Sequence, residues 1–143
     1  MFNLEHHVRV FVFQVLEQHV QYLLLRQKPV AEWPLGPVVG AIAPDEHLQD
    51  AVVREVAEET GIHRPLHVID LSRQTKELFG DMGMVEWNFA YQAGTPSSPI
   101  HRITPGPLVG DFAWLGFEEA FQKIGRARDR ETLVKLQLHL HQN

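Results

Sequence analysis

The alternation of apolar and polar positions divides the chain into short strand-like runs set around one mid-chain helix, with more helix at the C-terminus. Val8 to Leu16, "VRVFVFQVL", is rich in β-branched and aromatic residues and predicts a strand. "EQH" separates it from Val20 to Arg26, "VQYLLLR", its expected hairpin partner. "QKPVAEWPLGP" reads as a proline-containing loop, and Val38 to Ile42 as a short strand running into Pro44. Helix is expected from about Glu46 to Thr60, with Asp45 as N-cap, Glu46 at the positive end of the dipole and Gly61 at C′. Leu66 to Leu71 and Val85 to Ala93 predict strands around a polar loop, "KELFGDMG". "GTPSSPIHRITPGPLVG" holds four prolines and three glycines and predicts a loop. Asp111 to Leu115 reads as a short strand before "FEEAFQKI", which begins the helical C-terminus. Arg128 to His141 is amphipathic, with Leu133, Leu136 and Leu140 at helical spacing. Strands on both sides of one helix suggest an α/β fold, a mixed sheet covered by helices. No repeat, low-complexity tract or linker divides the chain, so residues 1–143 are expected to form one domain.

The mid-chain helix carries an unusual load. At about 100° per residue, Glu55, Glu58 and Glu59 fall within roughly a 100° arc, opposite the apolar face of Val52, Val53, Val56 and Ala57. Two readings fit such a cluster. Glutamate is a good helix former, and a solvated acidic face is ordinary. Against that, like charges at i,i+4 cost a few tenths of a kcal/mol, and only Arg54 is at hand to offset them. A hard divalent cation would reverse the sign, since Mg²⁺ prefers carboxylate oxygen. One carboxylate could then hold metal while a neighbour takes a proton from a polarised water.

The spacing around these glutamates resembles a known family pattern. Gly40, Glu46 and the run Arg54-Glu55-Val56-Ala57-Glu58-Glu59-Thr60-Gly61-Ile62 fill every specified position of the Nudix box, G-x5-E-x7-R-E-U-x-E-E-x-G-U with U aliphatic. The hairpin before the box and "FAWLGFEEAFQKI" after it are similar to the flanks of Nudix hydrolases. The resemblance implies an α/β/α sandwich with a mixed sheet. It also implies a pyrophosphohydrolase that cleaves a diphosphate linkage in a nucleoside triphosphate-like substrate by attack of water on phosphorus. The cofactor implied is Mg²⁺, with Mn²⁺ as a substitute. By the same resemblance Glu55, Glu58 and Glu59 bind metal and the Gly40 carbonyl adds a ligand. Arg54 holds the carboxylates, Glu46 is structural, Gly61 ends the helix, and Glu58 or Glu55 serves as base. Hydrolysis of ADP-ribose or a nucleotide sugar, and a nucleotide-binding module without turnover, are the alternatives. Val38-Val39-Gly40 replaces the Pro-Gly-Gly of many members, and Asp45 stands where many have glycine. This Val-x-Gly arrangement is loosely similar to the dihydroneopterin triphosphate and deoxynucleoside triphosphate pyrophosphatase branch. A homodimer is compatible with the resemblance.

Other residues invite a role beside a plainer reading. Arg26 and Lys28 could bind substrate phosphates or be solvated charges, and Asp111 could add a metal ligand or simply start a strand. Glu77, Asp81 and Glu86, on or beside the "KELFGDMG" loop, are rival bases. Trp33 and Trp87 could stack on a base or pterin ring or belong to the core. His6, His7, His139 and His141 lack partner ligands at helpful spacing and read as surface residues.

Composition narrows the class. A net charge of −5 and a pI near 6.0 argue against a nucleic-acid or membrane-surface binder, so an anionic small molecule would need cations or a local basic patch. With no cysteine there is no disulfide, thiolate nucleophile or zinc–thiolate site. The N-terminus lacks the features of a signal peptide, and a cytoplasmic location is the expectation.

Overall fold

The sheet is organised around β1 (Asn3–Val15) in a computed structural model that describes residues 3–28, 34–100 and 102–141. Val8, Val10 and Val12 enter one apolar cluster, while Phe11 and Phe13 enter another on the opposite face. Burial on both faces is why this run is apolar almost without alternation. Each fully buried side chain of this size contributes about 1.5–3 kcal/mol relative to exposure.

Strand β5 (Met82–Gly94) runs parallel to β1 along one edge, and β4 (His67–Phe79) pairs antiparallel with β5. The other edge of β1 is shared. β3 (Val38–Ala41) pairs with His7 to Val10, and β2 (Val20–Gln27) pairs with Val12 to Val15. β6 (Val109–Leu115) closes the far side against β2, giving the order β4-β5-β1-β2-β6 with β3 beside β1. Beyond Leu23 strand β2 leaves β1, and its Leu25 exchanges backbone hydrogen bonds of 2.8 and 3.0 Å with Gly36. This divergence leaves a cleft between β2 and β3.

Helix α1 (Leu48–Thr60) covers one face of the sheet through Ala51, Val52 and Val56. Helices α2 (Phe117–Lys123) and α3 (Ala127–Leu140) cover the other through Ala120, Leu133 and Leu136, and the Tyr22 hydroxyl on β2 donates to Gln137 on α3. The architecture is the expected α/β/α sandwich with a mixed sheet.

Three boundary expectations change. β1 begins at Asn3 rather than Val8, because the polar "NLEHH" segment pairs in register with the start of β5. "KELFGDMG" is the tip of the long β4–β5 hairpin rather than a loop, with Gly80 at φ 58 reversing the chain. The helix starts at Leu48, and its N-cap is His47, which makes no side-chain capping bond. Asp45 sits at φ 64 instead of capping, in a left-handed conformation that aspartate tolerates better than most residues. Glu46 stays outside the helix because its carboxylate is taken by the Ala43 N–H and by Arg54.

Candidate active site

The acidic face of α1 meets β3 at Gly40. A Cβ built there would lie 1.9 Å from the Glu55 carboxyl carbon, so no larger residue fits while Glu55 keeps its place. Arg54 then gathers the carboxylates. Its Nε and Nη2 donate to Glu46 at 2.8 and 2.9 Å, its Nη1 to Glu55 at 2.8 Å and to Glu58 at 3.3 Å, and Nη2 also to the Ala41 carbonyl at 2.9 Å. One guanidinium thereby ties the pre-helical loop, the end of β3 and the helix together.

The C-terminal end of α1 is fixed as firmly. Gly61 adopts φ 77 and donates to the Ala57 carbonyl, and a Cβ there would press on Thr104 at 2.9 Å. The proline-rich segment docks on the last turn, where Thr104 N–H donates to the Thr60 carbonyl at 2.9 Å and Gly106 N–H to Glu59 at 3.1 Å. These bonds satisfy carbonyls that a helix end leaves unpaired. The loop expected from its prolines thus holds the helix end that bears Glu58 and Glu59.

Electrostatically the cluster has too much negative charge. Glu46 is held down to about 2, chiefly by its hydrogen bond to Arg54. Glu55 is pushed up by burial, which outweighs the Arg54 contact, and the Arg54 guanidinium is held firmly charged by Glu46. Glu59 is pushed up by burial and then by the charges of Glu55 and Glu58, and its Oε2 is buried without a hydrogen-bond partner. Among the described residues no three carboxylates or imidazoles converge on one point, since Arg54 is the group that organises them. The donor set still fits a hard cation. It offers an orphaned buried carboxylate oxygen at Glu59, an exposed carboxylate at Glu58, and Glu55 packed against a residue with no side chain.

On the other side of the β3 edge lies a cavity of about 360 Å³, lined by His7, Arg9, Leu25, Gly40, Arg126 and Asp129 among others. Its floor is an ion network. Arg9 Nε and Nη2 donate to the two oxygens of Asp129 at 2.9 and 2.5 Å, and its Nη1 to Glu86 at 3.1 Å. Arg126 donates to Glu86 at 3.1 and 3.3 Å. Glu86 and Asp129 are 3% and 2% exposed, so both carboxylates are satisfied inside the protein. Of these residues only Glu86 drew notice in the sequence, as a loop base. Its place is instead within β5, buried and held by two arginines. The available signal was Arg9 itself, a charge inside "VRVFVF" that must find a buried partner.

The remaining candidates are scattered. Arg26 and Asp111 face each other across β2 and β6 with a 3.6 Å ion pair, and neither lines the cavity beside Gly40. Lys28 is exposed, its backbone N–H donating to the Leu108 carbonyl. Asp81 is exposed at the hairpin tip. Trp33 and the Glu77 side chain lie outside the described residues. Trp87 packs against the α1-side core and stacks on His6 with ring centroids 6.1 Å apart, its Nε1 donating to His6 Nδ1 at 3.1 Å. His7 is half-buried in the cavity wall, and His139 and His141 are exposed at the far end of α3.

Comparison with known proteins is consistent with this geometry. The NUDIX domain model matches residues 5–136. A Bacillus subtilis (strain 168) protein described as a candidate 8-oxo-dGTP diphosphatase is 32% identical over 100 residues, 66% of this chain and 64% of that protein. The match thus spans less than two thirds of the relative. Among solved structures, an Ap4A hydrolase from C. elegans superimposes with a TM-score of 0.78 at 16% identity, covering 95% of this chain and 97% of that one. The E. coli dihydroneopterin triphosphate pyrophosphohydrolase gives 0.72 at 20% identity, covering 92% and 95%. At these identities the structural matches speak to the fold alone.

Proposed function

The chain belongs to the NUDIX family, and on that premise we propose that it is a Mg²⁺-dependent pyrophosphohydrolase acting on a nucleoside triphosphate-like substrate. The observation that carries this reading is the surplus of carboxylate around Arg54, together with the partnerless buried oxygen of Glu59. Glu55, Glu58, Glu59 and the Gly40 carbonyl would hold the cation. When bound, it would neutralise phosphate oxygens and acidify a water. The protein supplies the rest. Arg54 restrains Glu55 and Glu58, and one of these two accepts the proton of the attacking water. The water oxygen bonds to phosphorus as the bridging P–O bond breaks, leaving two phosphorylated products. The cavity over Arg9 and Asp129, which shares Gly40 with the carboxylate cluster, receives the ring of the nucleotide. The Bacillus subtilis relative is described as acting on 8-oxo-dGTP, a nucleoside triphosphate, which supports this class.

The test is hydrolysis of a nucleoside triphosphate panel with Mg²⁺, scored for released pyrophosphate, in wild-type protein and in Glu58→Gln and Glu55→Gln. Both variants should keep the wild-type circular dichroism spectrum and lose turnover. A folded Glu58→Gln protein with near wild-type rates would remove Glu58 from the reaction. Tight nucleotide binding with no product at high protein concentration would make the chain a binding module.

A further inference from the structure

The glycine between the two prolines of Thr104-Pro105-Gly106-Pro107 has no conformational reason to be glycine. Among the described residues Gly61 and Gly80 hold positive φ, and Gly106 does not. Its reason is distance. A Cβ built on Gly106 would lie 2.5 Å from the Glu58 carbonyl oxygen and 3.4 Å from the Glu59 Cα, so something would have to move. Both contacts are with backbone atoms, and no change of rotamer relieves them.

Stiffness decides what would move. Pro105 and Pro107 fix their own φ and bias Thr104 and Gly106, the residues before them, toward extended conformations. The strap they form is also tied on both sides. Ile103 and Val109 are buried in the α1-side core, the Val109 N–H donates to the Gly106 carbonyl at 3.1 Å, and the Leu108 carbonyl accepts from the Lys28 N–H at 2.8 Å. Upstream, the buried Gln14 side chain of β1 donates to the Ile100 carbonyl at 3.3 Å and accepts from its N–H at 2.9 Å. Helix α1, by contrast, ends at this contact, and the carbonyls of Glu59 and Thr60 take the N–H groups of Gly106 and Thr104 as partners. The strap is the anchored body and the last helical turn is what yields.

We infer that Gly106 is a positioning residue for the carboxylates: its missing side chain lets the strap seat the last turn of α1, and that seat sets how well Glu58 and Glu59 hold a small divalent cation. The inference rests on the reading of these two glutamates as cation ligands. Mg²⁺ demands near-ideal octahedral geometry, whereas Ca²⁺ accepts oxygen ligands in a flexible shell. A displaced last turn therefore weakens Mg²⁺ binding more than Ca²⁺ binding.

Substrate-free, ¹⁵N-labelled protein is titrated with Mg²⁺ and separately with Ca²⁺, and the amide signals of residues 58–61 give the dissociation constants. Gly106→Ala should keep the wild-type circular dichroism spectrum, raise the Mg²⁺ constant about tenfold and raise the Ca²⁺ constant less than about threefold. Gly116→Ala, where an added Cβ meets nothing within 4 Å, should leave both constants at their wild-type values. Changing Pro105 and Pro107 to alanine in the Gly106→Ala protein lets the strap yield instead of the helix, and should recover part of the Mg²⁺ affinity. An unchanged Mg²⁺ constant in Gly106→Ala, an equal rise for both ions, or no recovery overturns the inference. If Gly106→Ala alone does not fold, the same ion comparison is made between the triple variant and the double proline variant. A deficit larger for Mg²⁺ than for Ca²⁺ supports the inference there, and an equal or absent deficit overturns it. Wild-type signals at 58–61 that respond to neither ion would sink the cation reading itself, and the inference with it.

Discussion

Two arginine-centred clusters lie on opposite faces of the same sheet, and they solve the problem of clustered carboxylates differently. On the α3 side, Arg9 and Arg126 meet Glu86 and Asp129, two positive charges for two negative, in a largely buried network whose carboxylates are hydrogen-bonded. On the α1 side a single Arg54 serves Glu46, Glu55 and Glu58, while Glu59 has a buried oxygen with no partner. A balanced cluster is complete within the protein and can act as a rigid floor. An unbalanced one is costly in isolation and gains most from a bound cation. Charge balance, more than the mere presence of carboxylates, separates a structural network from a candidate metal site.

The largest effect should come from breaking the balanced side. Asp129→Ala leaves Arg9 with Glu86 alone in a buried setting, and removing one partner of a buried pair typically costs about 3–5 kcal/mol. Urea unfolding should register a loss of that order, and a change within error would mean the network is not cohesive. The unbalanced side should respond to metal instead. Glu55 and Glu59 have raised folded values, so their contribution to stability is full below the unfolded value of 4.5 and is lost as pH rises through those raised values. A cation binds their ionised forms, so stabilisation by Mg²⁺ should be smallest in acid and grow as pH rises through those raised values. With Mg²⁺ at about a hundred times its dissociation constant the gain is ~2.7 kcal/mol, visible in thermal melts with and without EDTA. A pH-independent shift would argue that the cation binds elsewhere. The smallest effect belongs to Glu46. Its folded value of about 2 lies below the unfolded 4.5, so its stabilising contact is present above pH 4.5 and lost as pH falls toward 2. Glu46→Gln should thus be less stable than wild type at neutral pH, with the gap closing in acid melts. A gap that stays constant across that range would assign the loss to packing rather than charge.

The strands, the helix and the carboxylate face were legible because each depends on local periodicity. β-branched runs, a 3.6-residue spacing and Gly61 all act over a few residues. The helix start was misjudged because Glu46 and Arg54 meet across eight positions, a contact no capping rule contains. The hairpin tip was misjudged because its polar residues are ordered by pairing with a partner strand rather than by their own propensity. The Arg9 network was not legible in the sequence, since Asp129 lies 120 residues away.

The reaction class therefore follows from the sequence through the family pattern it fills. Gly40, Arg54, Glu55, Glu58, Glu59 and Gly61 lie within one contiguous segment, and helix geometry alone brings the carboxylates to one face. The tertiary structure decided where cavities open beside that segment. Because β2 and β3 share one edge of β1 and then part, one cavity opens between them, and a second lies where the chain leaves β3 past Ala41. Their walls come from β1, β5 and α3, distant in the chain, and only the closed sheet brings them beside the helix.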